Sequence, residues 1–372
     1  MITRSVLAIA AAAGVAVPGA AMAQAPTGPI VPPAQGTTTG ATWSTIDLGT
    51  CSIATGTAVV NGNWAGCAWA GAGAPDVAVS AFGRVWLAGS SIGAPGAAIT
   101  ALQPIDPATS LPGSIVNVTG ITAPAAAVAA RGVLWFAGSS ASSTNGHHSA
   151  VAVAVTPTGA VRHRFRGPVS SYTASGQSIA YGAGAVWLGD DAGRIYALSP
   201  TRGSLIRQIR TPNTSGLAVS SSTRTLWATG TRGRSVRVFS TATGVQRKVF
   251  GVVGSPNAVV SAGGSMWVFT QRYLYRYDPR RLRQTARYTV PPSQSGWLGA
   301  VAGPGGLWAS NWVAQVVRFN TSTRTFDVDA RWSNQNFSGP LASAGGSVWV
   351  PDRNNSPFPV GHAVTRITPT GS

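Results

Sequence analysis

Short apolar runs recur along the whole chain, and Gly, Pro, Ser and Thr separate them. The stretch Ser178–Arg210 serves as a template. SIAYGA, AVWLG, RIYAL and LIRQIR each have strand length and β-branched or aromatic content, and turn residues bound them. The turn before the fourth run is Ser199-Pro200-Thr201-Arg202-Gly203. Its counterparts start at Asp106, Thr156, Ser240, Asp278, Asn320 and Thr368. A short polar side chain at the first position bonds the backbone, and Pro, where present, pre-sets φ. The second run carries a tryptophan after Val, Leu or Met, and this phrase occurs seven times, at Trp86, Trp135, Trp187, Trp227, Trp267, Trp308 and Trp349. Successive copies are 49, 52, 40, 40, 41 and 41 residues apart. Four strands per repeat of about 40 residues predict an all-β, seven-bladed β-propeller with one tryptophan per blade. Each tryptophan is expected to fill the wedge between neighbouring sheets as core, not as a ligand contact.

The seventh repeat reaches Thr368-Pro369-Thr370-Gly371 straight after its third strand. Residues 42–48, TWSTIDL, resemble a fourth strand and are expected to complete that blade from the N-terminal side. The propeller is thus assigned to residues 41–372, with an insertion at 49–76. That insertion holds the only two cysteines, Cys51 and Cys67, which are expected to form a disulfide. Residues 1–23 read as a signal peptide: Arg4, an apolar run, then Ala21-Met22-Ala23. Residues 24–40 are a Pro/Gly/Thr-rich linker. The expected product is a secreted or periplasmic monomer without a transmembrane segment.

Charge narrows the partners. Without Arg4 the chain has 26 basic residues against nine acids, a net of +17; Lys248 is the sole lysine and Glu is absent. That balance favours acidic partners, although base composition of a genome also enriches Arg. The fifth repeat carries a cluster, Arg272, Arg276, Arg280, Arg281, Arg283 and Arg287, and Arg276, Arg318 and Arg366 hold equivalent third-strand positions. These are the candidates for a polyanion-binding stripe. Sequence-specific nucleic-acid reading is not expected, because no recognition motif is present.

The phrase G-x-[VLM]-W, with YLYRYDP at Tyr273–Pro279 and VVRFNTST at Val316–Thr323, resembles the streptogramin lyase (virginiamycin B lyase-like) propellers and, more loosely, YVTN/NHL-type propellers. The resemblance implies a ring whose top centre opens a cyclic depsipeptide ester by elimination, with His, Glu and Mg²⁺. In that family a Glu often stands three residues after Trp. Here the seven positions hold Gly89, Gly138, Asp190, Gly230, Thr270, Asn311 and Asp352. Asp190 and Asp352 are the weak candidates for a cation. The histidines, His147, His148, His163 and His362, stand beside none of the seven. Gly89-Ser90-Ser91-Ile92-Gly93 matches a nucleophile elbow, but no helix is expected after it.

Second-to-third-strand loops and blade connections should share one face. Asp190, Asp191, Trp297, Asn311, Trp312, Asp352 and Arg353 fall there and are the candidate ligand contacts; Trp297 and Trp312 form a pair suited to a sugar or peptide, or, equally, one of them is tucked into the blade edge. The reading reached is a binding module for an extracellular glycan, peptide or protein, with no complete catalytic set and no cofactor. A Mg²⁺-dependent, streptogramin-lyase-like elimination enzyme is the alternative, and a structural component of an envelope assembly is a third.

Overall fold

The computed structural model describes residues 41–50, 52–54, 57–59, 75–92, 98–119, 121–139, 148–170, 178–230, 232–292, 296–311, 315–331, 336–337, 339–353 and 361–369. Cys51, Cys67, Trp312 and residues 1–40, read from sequence as signal peptide and linker, lie outside them. Every regular element is a strand, and no helix of the described residues is long and apolar enough to cross a membrane.

Seven antiparallel sheets form the blades. Blade 3 is typical: Ser178–Gly182, Ala185–Gly189, Arg194–Leu198 and Leu205–Arg210, in that order from the axis outwards. These bounds follow the four runs of the template. Inner strands of successive blades touch one another around the ring, from Pro75–Ala81 in blade 1 to Ala342–Ala344 in blade 7. Gly361–Pro369 of blade 7 pairs with Ala41–Thr50, so a strand from the beginning of the chain closes the ring. The expected closing segment, 42–48, is extended at both ends. Ser52–Ala54 and Thr57–Val59 form a small separate hairpin in the insertion.

Local chemistry sets these elements. Five first-to-second hairpins turn through two residues with positive φ: Phe82-Gly83, Arg131-Gly132, Ala183-Gly184, Gly263-Gly264 and Gly345-Gly346. Two left-handed residues match the twist of the flanking strands, and glycine adopts that conformation without a Cβ clash. The third-to-fourth turns are held by their first polar residue. Asp106 accepts from the Ala108 and Thr109 N–H groups, Asp278 from Arg280 and Arg281, and Asn320 from Ser322 and Thr323.

All seven repeat tryptophans are buried between blades. Trp187, for example, packs with Leu217, Leu226 and Phe239 of blade 4. Five donate Nε1–H to a carbonyl near the end of their own inner strand: Trp86 to Ala81, Trp187 to Gly182, Trp267 to Ala262, Trp308 to Pro304 and Trp349 to Ala344. This satisfies a polar atom that burial would otherwise penalise. The outer strands of blades 2 to 6 share a bulge, at Arg162, Ile206, Arg247, Thr285 and Asp327, each the extra residue in its register.

Candidate functional site

The positions three residues after each tryptophan lie at or near the ends of the second strands. At Asp190, Asn311 and Thr270 the polar side chain holds the next turn. Asp190 Oδ1 accepts the Arg194 N–H at 2.6 Å, and Oδ2 accepts the Tyr196 hydroxyl at 3.1 Å. Burial raises the Asp190 carboxyl above its ordinary range, and the hydrogen bonds oppose this only in part. Burial also pushes Tyr196 up to about 12, so it stays a donor. Asn311 in blade 6 repeats the design: Oδ1 accepts the Gln315 N–H at 2.9 Å and Nδ2 donates to Gln315 Oε1 at 2.8 Å. Gln315 in turn donates to Asp329. In blade 5, Thr270 Oγ1 accepts the Tyr273 N–H at 3.0 Å.

Of the anticipated aromatic pair, Trp297 is not on the surface, and Trp312 lies outside the described residues. Trp297 is 1% exposed, packs edge-on against Phe269 and donates Nε1–H to the Thr270 carbonyl. Asn311 is fully buried. Asp191 is half-buried next to Asp190. Asp352 and Arg353 lie in the second strand of blade 7, opposite Ala363 and His362. The structure thus brings Trp297 and Asn311 together as strand partners and keeps Asp190 in a different blade.

The axis holds a cavity of about 500 Å³ lined by the inner strands of all seven blades. Its lining is small or apolar, with Ser80, Ser178, Ser215, Asn257 and Ser343 as the polar side chains and no charge. No sequence-chosen site residue lines it.

The supposed arginine stripe has a different role. Register places Arg276 opposite Trp267, Arg318 opposite Trp308 and Arg366 opposite Trp349. Each guanidinium lies 5.4–5.5 Å from the indole centre. A cation over the indole face is attracted by the ring quadrupole. The Nε groups donate to Ser265, Asp327 and Ser347. Arg366 also reaches Ser110 of blade 1 at 2.9 Å. Arg318 is 4% exposed and doubly bonded to Asp327, so it is unavailable to a polymer at the surface. The three arginines form no solvent-facing stripe, because cross-strand register turns each of them onto its blade's tryptophan.

Arg272, Arg280, Arg281, Arg283 and Arg287 are exposed, as expected. Arg281 lies 3.9 Å from Asp278, and Arg287 covers the Tyr273 ring at 4.5 Å. They belong to a larger surface. The outer strands of blades 2 to 5 expose Arg162, Arg164, Arg166, Arg210, Arg247, Lys248, Arg283 and Arg287 and contain no acid. The outer strands of blades 6 and 7 carry Asp327, Asp329 and Asp47. Sequence reading picked out the fifth-blade arginines but missed this wall, since its residues lie some 40 positions apart and only the ring aligns them. The usable signal was VRHRFR, LIRQIR, QRKVFG and RQTARYT at the same place in successive repeats.

A second cavity, of about 380 Å³, opens between blades 5 and 6. Gly263 and Gly306 place it at the end of the ring that carries the first-to-second hairpins, opposite the face chosen from sequence.

The fold and these sites define a seven-bladed β-propeller with a one-sided basic wall. Comparison with protein-family models and with curated proteins gives no match.

Proposed function

We propose that this propeller is an exported binding module whose outer wall over blades 2 to 5 takes an acidic partner: a glycan, a peptide or a protein surface. The observation that carries the reading is the separation of charge. Eight exposed cations share four neighbouring outer strands without one carboxylate. The acids are engaged elsewhere: Asp106 and Asp278 cap turns, Asp190 caps the blade 3 loop and Asp327 holds Arg318. The ion pairs Arg84–Asp106, Arg281–Asp278 and Arg318–Asp327 all lie off the outer strands of blades 2 to 5. Such a surface concentrates polyanions and releases counterions on binding, so affinity falls steeply with salt. Five exposed apolar residues, Leu205, Ile206, Val245, Val249 and Val253, lie on or beside the strands of blades 3 and 4 and add contact area. The test is titration of the full mature chain with polygalacturonate and with neutral dextran at low and high salt. Salt-sensitive binding of polygalacturonate alone, weakened in the triple variant Arg162→Ser, Arg164→Ser, Arg166→Ser, supports the reading. Equal binding of both polymers, or of neither, refutes it.

The resemblance to streptogramin lyases supplies a second reading, and the raised carboxyl of Asp190 favours it, since perturbed groups mark many catalytic sites. The described donors do not fit Mg²⁺. Both Asp190 oxygens accept hydrogen bonds from the chain itself, and no three His, Cys, Asp or Glu gather among the described residues. We derive no step through the metal. Turnover of a type B streptogramin that requires Mg²⁺ and disappears in Asp190→Ala would establish this reading instead. A stable protein partner on cross-linking, without either activity, would point to a structural part in an envelope assembly.

A further inference from the structure

Blades 5 and 6 carry the same Trp–Arg pair with one difference. In blade 6 the bulge residue of the outer strand is Asp327, and its carboxylate grips Arg318 through Nε and Nη2 at 2.7 and 2.9 Å. In blade 5 the bulge residue is Thr285, which instead donates to the Arg276 carbonyl. Arg276 keeps its place over Trp267, 5.4 Å from the ring centre, and its Nε is held by Ser265 at 3.0 Å. No carboxylate of the described residues pairs with its guanidinium. Where blade 6 supplies its own carboxylate, blade 5 has a cavity.

That cavity is the one of about 380 Å³, within the range of sites for small organic ligands. Arg276 and Arg324 bring two cations to it, and Trp267 and Tyr288 bring two aromatic rings whose centres are 6.3 Å apart. The remaining lining is alanine, glycine, leucine and one threonine, with no acid. Guanidinium recognises planar oxyanions through paired N–H donors, and the small apolar wall leaves room for a flat body. We propose that the pocket between blades 5 and 6 binds a small oxyanion on a flat apolar body, an aromatic carboxylate or aryl phosphate. Its charged end sits at Arg276, as Asp327 sits at Arg318. The proposal does not depend on what the outer wall binds.

The test is calorimetric titration of the full mature chain with benzoate, phenyl phosphate and benzamide. Two variants accompany the parent protein. Thr285→Asp installs in blade 5 the carboxylate that blade 6 already has, and Arg162→Ser alters the outer wall alone. The expected result is single-site binding of benzoate or phenyl phosphate, with benzamide at least about tenfold weaker, because a charge-assisted hydrogen bond is lost. Thr285→Asp should weaken the anions by a similar factor while the melting temperature holds or rises, and Arg162→Ser should leave them unchanged. Tighter binding of phenyl phosphate than benzoate assigns a phosphoryl ligand, and the reverse order a carboxylate. Equal binding of benzamide, unchanged affinity in Thr285→Asp, or no saturable anion binding overturns the proposal. Loss on Arg162→Ser, with Thr285→Asp neutral, moves the anions to the outer wall and refutes the pocket while leaving the wall reading intact.

Discussion

Arg318 donates to both carboxylate oxygens of Asp327, at 2.7 and 2.9 Å, while its guanidinium lies against Trp308. Arg318 has almost no solvent of its own, so removal of the partner strands a buried charge. Asp327→Asn should cost on the order of 2 kcal/mol at neutral pH, by loss of charge-assisted hydrogen bonds. Burial pushes the Asp327 carboxyl up, but Arg318 and Asn320 outweigh it and hold it below the ordinary value. Its stabilising contribution is therefore complete above about pH 3.8 and is lost as pH falls through the lower folded value. Urea melts at pH 7 and pH 2.5 check this: the gap between parent and variant should be narrower at the second than at the first.

Asp190 has the opposite sign. Its folded carboxyl is raised by burial, so any stability it adds is full below about pH 3.8 and fades as pH rises through the folded value. Asn311 performs the same turn-holding task in blade 6 without charge. Asp190→Asn should be neutral or slightly stabilising at pH 7. Asp190→Ala leaves the Arg194 N–H and the Tyr196 hydroxyl without an acceptor and should cost about 1–2 kcal/mol. Thermal denaturation of the two variants side by side decides this.

Trp135 differs from its counterparts. Its ring is fully buried and stacks on His163, yet its Nε1–H has no partner in the structure. Trp187 donates the equivalent proton to Gly182. Phenylalanine removes the unpaired donor in one case and a made hydrogen bond in the other. Trp135→Phe should therefore cost less than Trp187→Phe by roughly 1 kcal/mol, read from denaturant midpoints.

The ring depends on its closing strand. Ala41–Thr50 covers the edge of Gly361–Pro369, and nothing else among the described residues pairs with that edge. A chain that starts at residue 51 exposes an unpaired strand. It should lose cooperative thermal unfolding and elute as aggregate on size exclusion, whereas a chain that starts at residue 41 should behave as the mature protein.

The architecture could be read from the sequence because each blade repeats the same local chemistry. Trp187 with its flanking Val186 and Leu188, and the polar residue that opens each outer turn, carry their meaning within a few residues. The sites were harder. Asp190 and Asn311 stand where a ligand residue would stand in the resembling family, and only the hydrogen bonds to Arg194 and Gln315 reveal them as turn caps. From sequence Trp297 is equally suited to an exposed pair or to a place tucked into the blade edge, and its hydrogen bond to the Thr270 carbonyl and its packing on Phe269 show the second. Arg276, Arg318 and Arg366 looked alike, and their difference lies in a bulge residue nine positions later, Thr285 against Asp327, whose significance depends on register.

Lys248 provides the most direct test of the basic wall. It is the sole lysine, it is exposed, and it sits on the outer strand of blade 4 in the middle of the four basic strands. Its acylation by an N-hydroxysuccinimide ester, followed by peptide mass spectrometry, reports occupancy of the wall. With polygalacturonate present at low salt, Lys248 should react several-fold more slowly than with dextran, and high salt should restore the rate. An unchanged rate under saturating polygalacturonate would contradict the assignment of the acidic partner to this wall.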